Sequence, residues 1–323
     1  MMIYNIQAIN TQSLYMSHLL RILVYGSMEP AIVRGHSASL NARYAPASKP
    51  LMCRGDREWT VVSAGKCLMK LRKNSILYKN KIPGYGTVRV LRCRLRGEKV
   101  RVLTVDRAAQ SAVRAEEGDH RALLFDYMES FDWICRLLPD AGSFFMIGGG
   151  GFSYPRHFCS TWPDRRMDVA ELRPEILSLA RQYLFFDDRK YPNLRIFIGD
   201  GLSLLRGGSC HPRQAHSLPE PSETLYDAII NDAFTGRSPS GDLADESAVR
   251  IIRDHLKTGG VYCINLATAM KGPFAVRTRR HLAVLRKYFR HTLLLPVDET
   301  KSAFARQNCL LFASGTEFRF FQD

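Results

Sequence analysis

Four consecutive glycines, Gly148 to Gly151, directly follow the short apolar run Ser143-Phe-Phe-Met-Ile147. They precede a segment from Tyr154-Pro155-Arg156 that reads as a helix. A strand that enters such a bend and leaves as a helix lets the backbone approach a ligand closely, with the helix's first amides facing the same crevice. Glycine runs also make plain turns, so the surroundings decide. Beyond the bend the chain alternates: a strand at 166–172, a helix at 173–186, strands at 194–201, 226–234 and 259–267, a helix at 277–289, and strands at 291–297 and 308–314. With 143–147 that makes seven strands. Alternation of this kind predicts an α/β domain with a mainly parallel sheet covered on both faces.

Three carboxylates fall where such a sheet displays ligand-contacting groups, at strand carboxyl ends. Glu171 lies 20 residues beyond Gly151 and closes the second strand, where an acid can accept from ribose hydroxyls. Asp200, followed by Gly201, ends the third strand and can hold an exocyclic amino group. Gly-Asp-Gly serves equally well as turn chemistry. Asp232 follows the apolar run Asp227-Ala-Ile-Ile-Asn231 and can align or deprotonate an amine, or cap a turn with Thr235-Gly236 close behind. A dinucleotide site fits less well, because the Gly148-x-Gly150 pattern meets Ser153 at its third position.

Upstream, residues 59–105 read as short strands, and Thr87–Leu95 with Lys99–Val105 as a hairpin turning at Gly97 and Glu98. The alternation puts Arg92, Arg94 and Arg96 on one face, with Cys93 and Leu95 on the other. Asp106 and Gln110, after the hairpin, read as turn residues. A helix between Asp119 and Leu138 leads into the glycine-bearing half. The expected division is an irregular extension over 1–50, a small β domain over 51–118 and the α/β domain over 119–323. The Pro/Ser/Gly-rich stretch 206–224 is expected as a flexible insertion.

The net charge of +15 is uneven: residues 57–118 hold 15 Lys/Arg against 5 Asp/Glu. These charges alternate with apolar residues and do not cluster with aromatics. They read as a solvated sheet face, and nucleic acid is not the expected partner. Eight cysteines are scattered without a Cys-x-x-Cys pair, so neither a metal site nor a disulfide framework is suggested, and a reducing cytoplasm is the expected address. No apolar run reaches the roughly 20 residues of a membrane span.

In order along the chain, the hairpin with Val-Asp-Arg-Ala-Ala-Gln-Ser, Met-Ile-Gly-Gly-Gly-Gly-Phe, Val-Ala-Glu-Leu-Arg-Pro-Glu, Ile-Gly-Asp-Gly, Tyr-Asp-Ala-Ile-Ile-Asn-Asp-Ala-Phe and Leu-Lys-Thr-Gly-Gly-Val-Tyr-Cys-Ile-Asn-Leu resemble the spermidine synthase (polyamine aminopropyltransferase) family. The resemblance runs from about Tyr78 to Ser314, and is nearest to the bacterial spermidine-synthase-like proteins. It implies a small β domain before a class I S-adenosylmethionine-methyltransferase-like (Rossmann-like) domain. It also implies transfer of an aminopropyl group from decarboxylated S-adenosylmethionine to an amine such as putrescine, without a metal, and a homodimer.

On that resemblance Gly148 to Gly151, Glu171, Asp200 and Gly201 would hold the nucleoside. Asp232 would be the catalytic aspartate, with Asp106 and Gln110 near the acceptor amine. Two departures stand out. Ala233-Phe234-Thr235 replaces the family's Ser-Ser-Asp after the catalytic aspartate, and Glu116 to Ala122 replaces a run of the Asp-Glu-Phe-x-Tyr-x-Glu kind, losing its tyrosine and last acid. A diamine needs carboxylates at both ends of its pocket, because an unpaired buried ammonium is costly. The alternatives are an S-adenosylmethionine-dependent methyltransferase on the same scaffold and a non-catalytic nucleoside-binding homologue.

Overall fold

The computed structural model describes residues 58–62, 68–72, 75–116, 118, 121–208, 211–212, 219–235, 238–239 and 245–318. The extension expected over 1–50 lies outside them. The first layer is a six-stranded antiparallel sheet of β1 (Glu58–Val62), β2 (Leu68–Arg72), β3 (Ile76–Ile82), β4 (Gly86–Leu95), β5 (Glu98–Val105) and β6 (Ala108–Arg114). β4 is its centre, flanked by β5 and paired also with β2 and β3.

Burial alternates along the last part of β4 as the sequence predicts, with Arg92 and Arg94 exposed and Cys93 and Leu95 buried. The turn falls one residue earlier than expected. Arg96 and Gly97, at φ 51° and 89°, make a two-residue turn with positive φ at both positions, and Glu98 opens β5 opposite Leu95. Arg96 therefore leaves the strand face and pairs with Asp126 at 2.7 Å. Asp106 and Arg107 repeat that geometry, at φ 45° and 69°, between β5 and β6. Asp106 is thus a turn residue, whereas Gln110 lies inside β6 and corrects the turn reading given to it.

The helix expected from Asp119 begins later, as α1 (Asp126–Glu129), a single 3-10 turn and α2 (Trp133–Leu137). The second sheet then comprises β7 (Ser143–Ile147), β8 (Arg166–Glu171), β9 (Leu194–Ile198), the two-residue β10 (His211–Pro212), β11 (Tyr226–Asn231), β14 (Leu256–Thr268), β15 (His291–Pro296) and β16 (Gln307–Ser314). A two-stranded ribbon of β12 (Phe234–Thr235) and β13 (Ser238–Pro239) stands apart. The sheet order is β10-β9-β8-β7-β11-β14-β16-β15. Strands β7, β8, β9, β11 and β14 are parallel, while β16 is antiparallel to both its neighbours.

The helices of this layer are α3 (Ser153–Thr161), α4 (Pro174–Tyr183), α5 (Gly201–Leu205), α6 (Glu246–Asp254) and α7 (Val276–Leu285). Every residue of β7 is buried because both faces of the sheet are covered. Phe145, Ile147, Phe197, Ile229, Tyr262 and Leu311 belong to one core cluster, and Phe144 packs on Phe158 of α3 with ring centroids 4.6 Å apart.

Helix α6 is absent from the sequence reading; its Ala248, Val249 and Ile252 are the apolar stripe that docks it. The stretch 206–224 is structured at both ends. His211–Pro212 pairs with Phe197 and Ile198, and Pro221–Glu223 forms a 3-10 turn with Pro221 buried. Residues 209–210 and 213–218 lie outside the described ones. Among the described residues no helix is long and apolar enough to cross a membrane.

Candidate functional site

Strand order reverses direction between β7 and β11, with β8 and β9 laid to one side and β14 to the other. The carboxyl ends of β7 and β11 therefore open the crevice where doubly wound sheets bind ligands. Gly148 leaves β7 at φ 97°, and a Cβ there would lie 2.8 Å from the backbone oxygen of Asp232. Only a residue without a side chain lets the two strand ends come this close. A Cβ on Gly151 would meet Ser111 Cβ at 2.5 Å and Leu184 Cδ1 at 2.6 Å, so β6 of the first sheet presses on the bend. Phe152, left-handed at φ 58°, caps α3 and stacks on Phe186 with ring centroids 4.7 Å apart. Gly201 has a packing role too: a Cβ there would sit 2.8 Å from Ile147.

Glu171 ends β8 with its side chain buried and turned into the bend. Its Oε2 accepts from the Gly149 and Gly150 amides at 3.0 and 3.1 Å, and its Oε1 from the Arg173 amide at 2.9 Å. Both lone-pair sites of Oε2 are filled, while Oε1 keeps one for a further donor such as a hydroxyl. Burial pushes this carboxyl up to about 7, with the three amides opposing.

Asp232 lies just past β11, its amide donating to Ile147 O at 3.0 Å. Its Oδ1 accepts from Asn265 Nδ2 at 2.8 Å, and the Tyr127 hydroxyl is a second hydrogen-bond partner. Burial again dominates and lifts the carboxyl to about 7; Asn265 and Tyr127 offset part of that rise. Glu171 and Asp232 thus hold protons in the folded chain that the unfolded chain, at the ordinary 4.5 and 3.8, has released. Folding stability is then expected to be free of this penalty below about pH 4 and to fall as pH rises through about 7, the Glu171 share being about 3 kcal/mol. Urea unfolding of wild type and Glu171→Gln at the two ends of that range checks it, since the variant should lose that share of the slope.

The other expected residues are placed less uniformly. Asp200 is exposed and its Oδ1 accepts from Ser203 N at 2.8 Å, so it is the N-cap of α5. Its second oxygen makes no hydrogen bond among the described residues. Asp106 is held by the hairpin, accepting from Thr87 N at 2.8 Å and lying where a side chain on Gly86 would be. It makes no hydrogen bond to the bend, Glu171 or Asp232. Gln110 does come to the crevice: its backbone oxygen is 4.0 Å from the Cβ position of Gly150 and 3.4 Å from the Tyr127 hydroxyl, whose one proton it shares with Asp232.

Two aromatic residues of the crevice are missing from the sequence reading. Tyr127 lies between Gln110 and Asp232, and its own sequence context, Phe125-Asp126-Tyr127-Met128-Glu129, has the Phe-x-Tyr-x-Glu spacing sought at 116–122. Tyr127 thus brings a tyrosine to Asp232, whereas Glu129 lies among Asp126, Asp132, Arg96 and His157. Tyr85, at the tip between β3 and β4, lies 5.5 Å under the Arg173 guanidinium. Burial and the nearby Glu171 carboxylate raise its hydroxyl far above the usual range. The first sheet thereby covers the end of β8.

No family profile matches the chain. A polyamine aminopropyltransferase of Vibrio vulnificus is 24% identical over 133 residues, which are 41% of this chain and 40% of that protein. The chain thus matches well under half the length of that relative. Among solved structures, a probable spermidine synthase of Corynebacterium glutamicum superposes with a TM-score of 0.59 at 20% identity, over 76% of this chain and 81% of that one. A spermidine synthase in complex with the transition-state analogue AdoDATO gives 0.55 at 16% identity, over 83% and 82%. These likenesses show the fold, and in fold the chain is spermidine-synthase-like.

Proposed function

We propose that this spermidine-synthase-like chain is a transferase that binds an adenosyl sulfonium, decarboxylated S-adenosylmethionine, in the glycine-bend crevice and passes its aminopropyl group to a small amine of the putrescine kind. The observation that carries the reading is Asp232: a carboxyl lifted to about 7, held by two neutral donors and placed against Gly148 at the strand-order reversal. Glu171 and the Gly149–Gly150 amides would hold the nucleoside, and Gln110 and Tyr127 would line the acceptor side. The acceptor nitrogen attacks the carbon next to sulfur, the C–S bond breaks, and its electrons leave with the neutral thioether. The new ammonium then loses a proton to Asp232. Rate enhancement comes from alignment of the amine and from a proton acceptor whose pKa sits near neutrality. Among the described residues Cys135, Cys159, Cys263 and Cys309 are buried free thiols, which suits the cytoplasmic address expected above.

Calorimetric titration with decarboxylated S-adenosylmethionine, S-adenosylmethionine and methylthioadenosine tests the reading. Tightest binding of the decarboxylated compound, with product formation from putrescine, is the expected result. Preference for the carboxylated compound would make the chain a methyltransferase, and silence toward all three would remove the sulfonium site.

A further inference from the structure

Asp232 is reached by a chain of side-chain amides from the antiparallel side of the sheet. In the β14–β16 register Asn265 faces Leu310 and Ala267 faces Asn308, so Asn265 and Asn308 share one face as diagonal neighbours. Asn308 Nδ2 donates to Asn265 Oδ1 at 3.0 Å, and Asn265 Nδ2 donates to Asp232 Oδ1 at 2.8 Å. Asn265 is 2% exposed, so water does not readily substitute for either partner. A primary amide can turn end for end and exchange its donor for its acceptor. With its oxygen engaged by Asn308, Asn265 offers Asp232 only the NH₂ end. Turned over, it would set an amide oxygen against a carboxylate oxygen with no proton between them.

We infer that Asn308 is a positioning residue: through Asn265 it keeps a hydrogen-bond donor on the Asp232 carboxylate and so favours the ionised form that takes the acceptor's proton. This rests on the role proposed above for Asp232. Among the described residues, the titratable groups facing Asp232 are Tyr127 from α1 and Cys263 from β14. Burial raises both, so both stay neutral while Asp232 titrates. With no charged neighbour there, the neutral donors govern its protonation.

The test titrates Asp232 directly, in full-length protein carrying aspartate labelled with ¹³C at the side-chain carboxyl, its resonance assigned by disappearance in Asp232→Asn. In Asn308→Leu the midpoint is expected to rise by about one pH unit, the equivalent of one hydrogen bond to a charged group. Asn265→Leu should rise at least as far, and the double variant no further than Asn265→Leu alone. Asn308→Gln, which keeps a donor amide, should stay near wild type, and Asn308→Ala replaces the leucine variant if that does not fold. An unmoved midpoint in Asn308→Leu, or additive shifts in the double variant, would overturn the inference. Turnover is not needed for this readout, so a chain that transfers nothing to putrescine would sink the proposed function while leaving the titration to decide the role of Asn308.

Discussion

Asp232→Asn is expected to reduce turnover by about 10²- to 10⁴-fold, the usual worth of a positioned proton acceptor, while nucleoside affinity stays within about threefold. The replacement is nearly isosteric, and the contact that shapes the bend uses the backbone oxygen of residue 232, which the variant keeps. Its amide oxygen can still accept from Asn265, so the crevice keeps its shape and loses only a basic group. The sign of the pH effect follows from the same residue. A carboxyl near 7 is an effective base only above that value, so wild-type turnover should climb as pH rises through about 7. The residual turnover of the variant should lack that limb. Steady-state rates with decarboxylated S-adenosylmethionine and putrescine, with calorimetry on the same preparations, check both halves. Unchanged turnover would take Asp232 out of the mechanism.

The second sheet was readable because its strands are short apolar runs closed by glycine, acid or proline, and burial on both faces demands such runs. Phe144 to Ile147 and Ile196 to Ile198 illustrate this. Carboxylates at strand ends were readable for the same reason, since the strand fixes where the next residue emerges. Glu171 and Asp232 follow that rule, whereas Asp200 shows its limit: the position that can touch a ligand is also the N-cap of α5. Helix α6 was missed because its apolar residues Ala248, Val249, Ile251 and Ile252 are four among nine, a stretch too short to declare itself before the sheet it docks on is known.

Tyr127 was missed for a different reason. The stretch between β6 and α1 sets how far along the chain a tyrosine must lie to reach Asp232, and matching the family's run to Glu116–Ala122 left no tyrosine there. The residue before Asp126, Phe125, is buried and stacks on Tyr127 with centroids 6.2 Å apart, which fixes the ring where that match did not. Tyr85 depends wholly on tertiary structure: nothing in Pro83-Gly84-Tyr85-Gly86 says that this tip lies over Arg173.

Glu171→Ala should weaken nucleoside binding by about 10²-fold or more and lower folding stability by roughly 2–5 kcal/mol, each through hydrogen bonds that end on one carboxylate. The stability effect comes from the amides of Gly149, Gly150 and Arg173, which lose their acceptor together. A buried amide left unsatisfied costs about 1–3 kcal/mol, and water admitted to the vacated space recovers part of that. The binding effect has two sources. A ligand hydroxyl loses the open site on Oε1, worth about 1.5–3 kcal/mol with a charged acceptor. The bend also loses the anchor that holds it open toward the crevice, so the ligand must order it on binding. Glu171→Gln separates the two, since its single oxygen can serve the bend or the ligand but not both, and an intermediate affinity is the expected result. Denaturant midpoints and calorimetry with methylthioadenosine measure the pair, and an Ala variant that binds within about threefold of wild type would show that the nucleoside is held elsewhere.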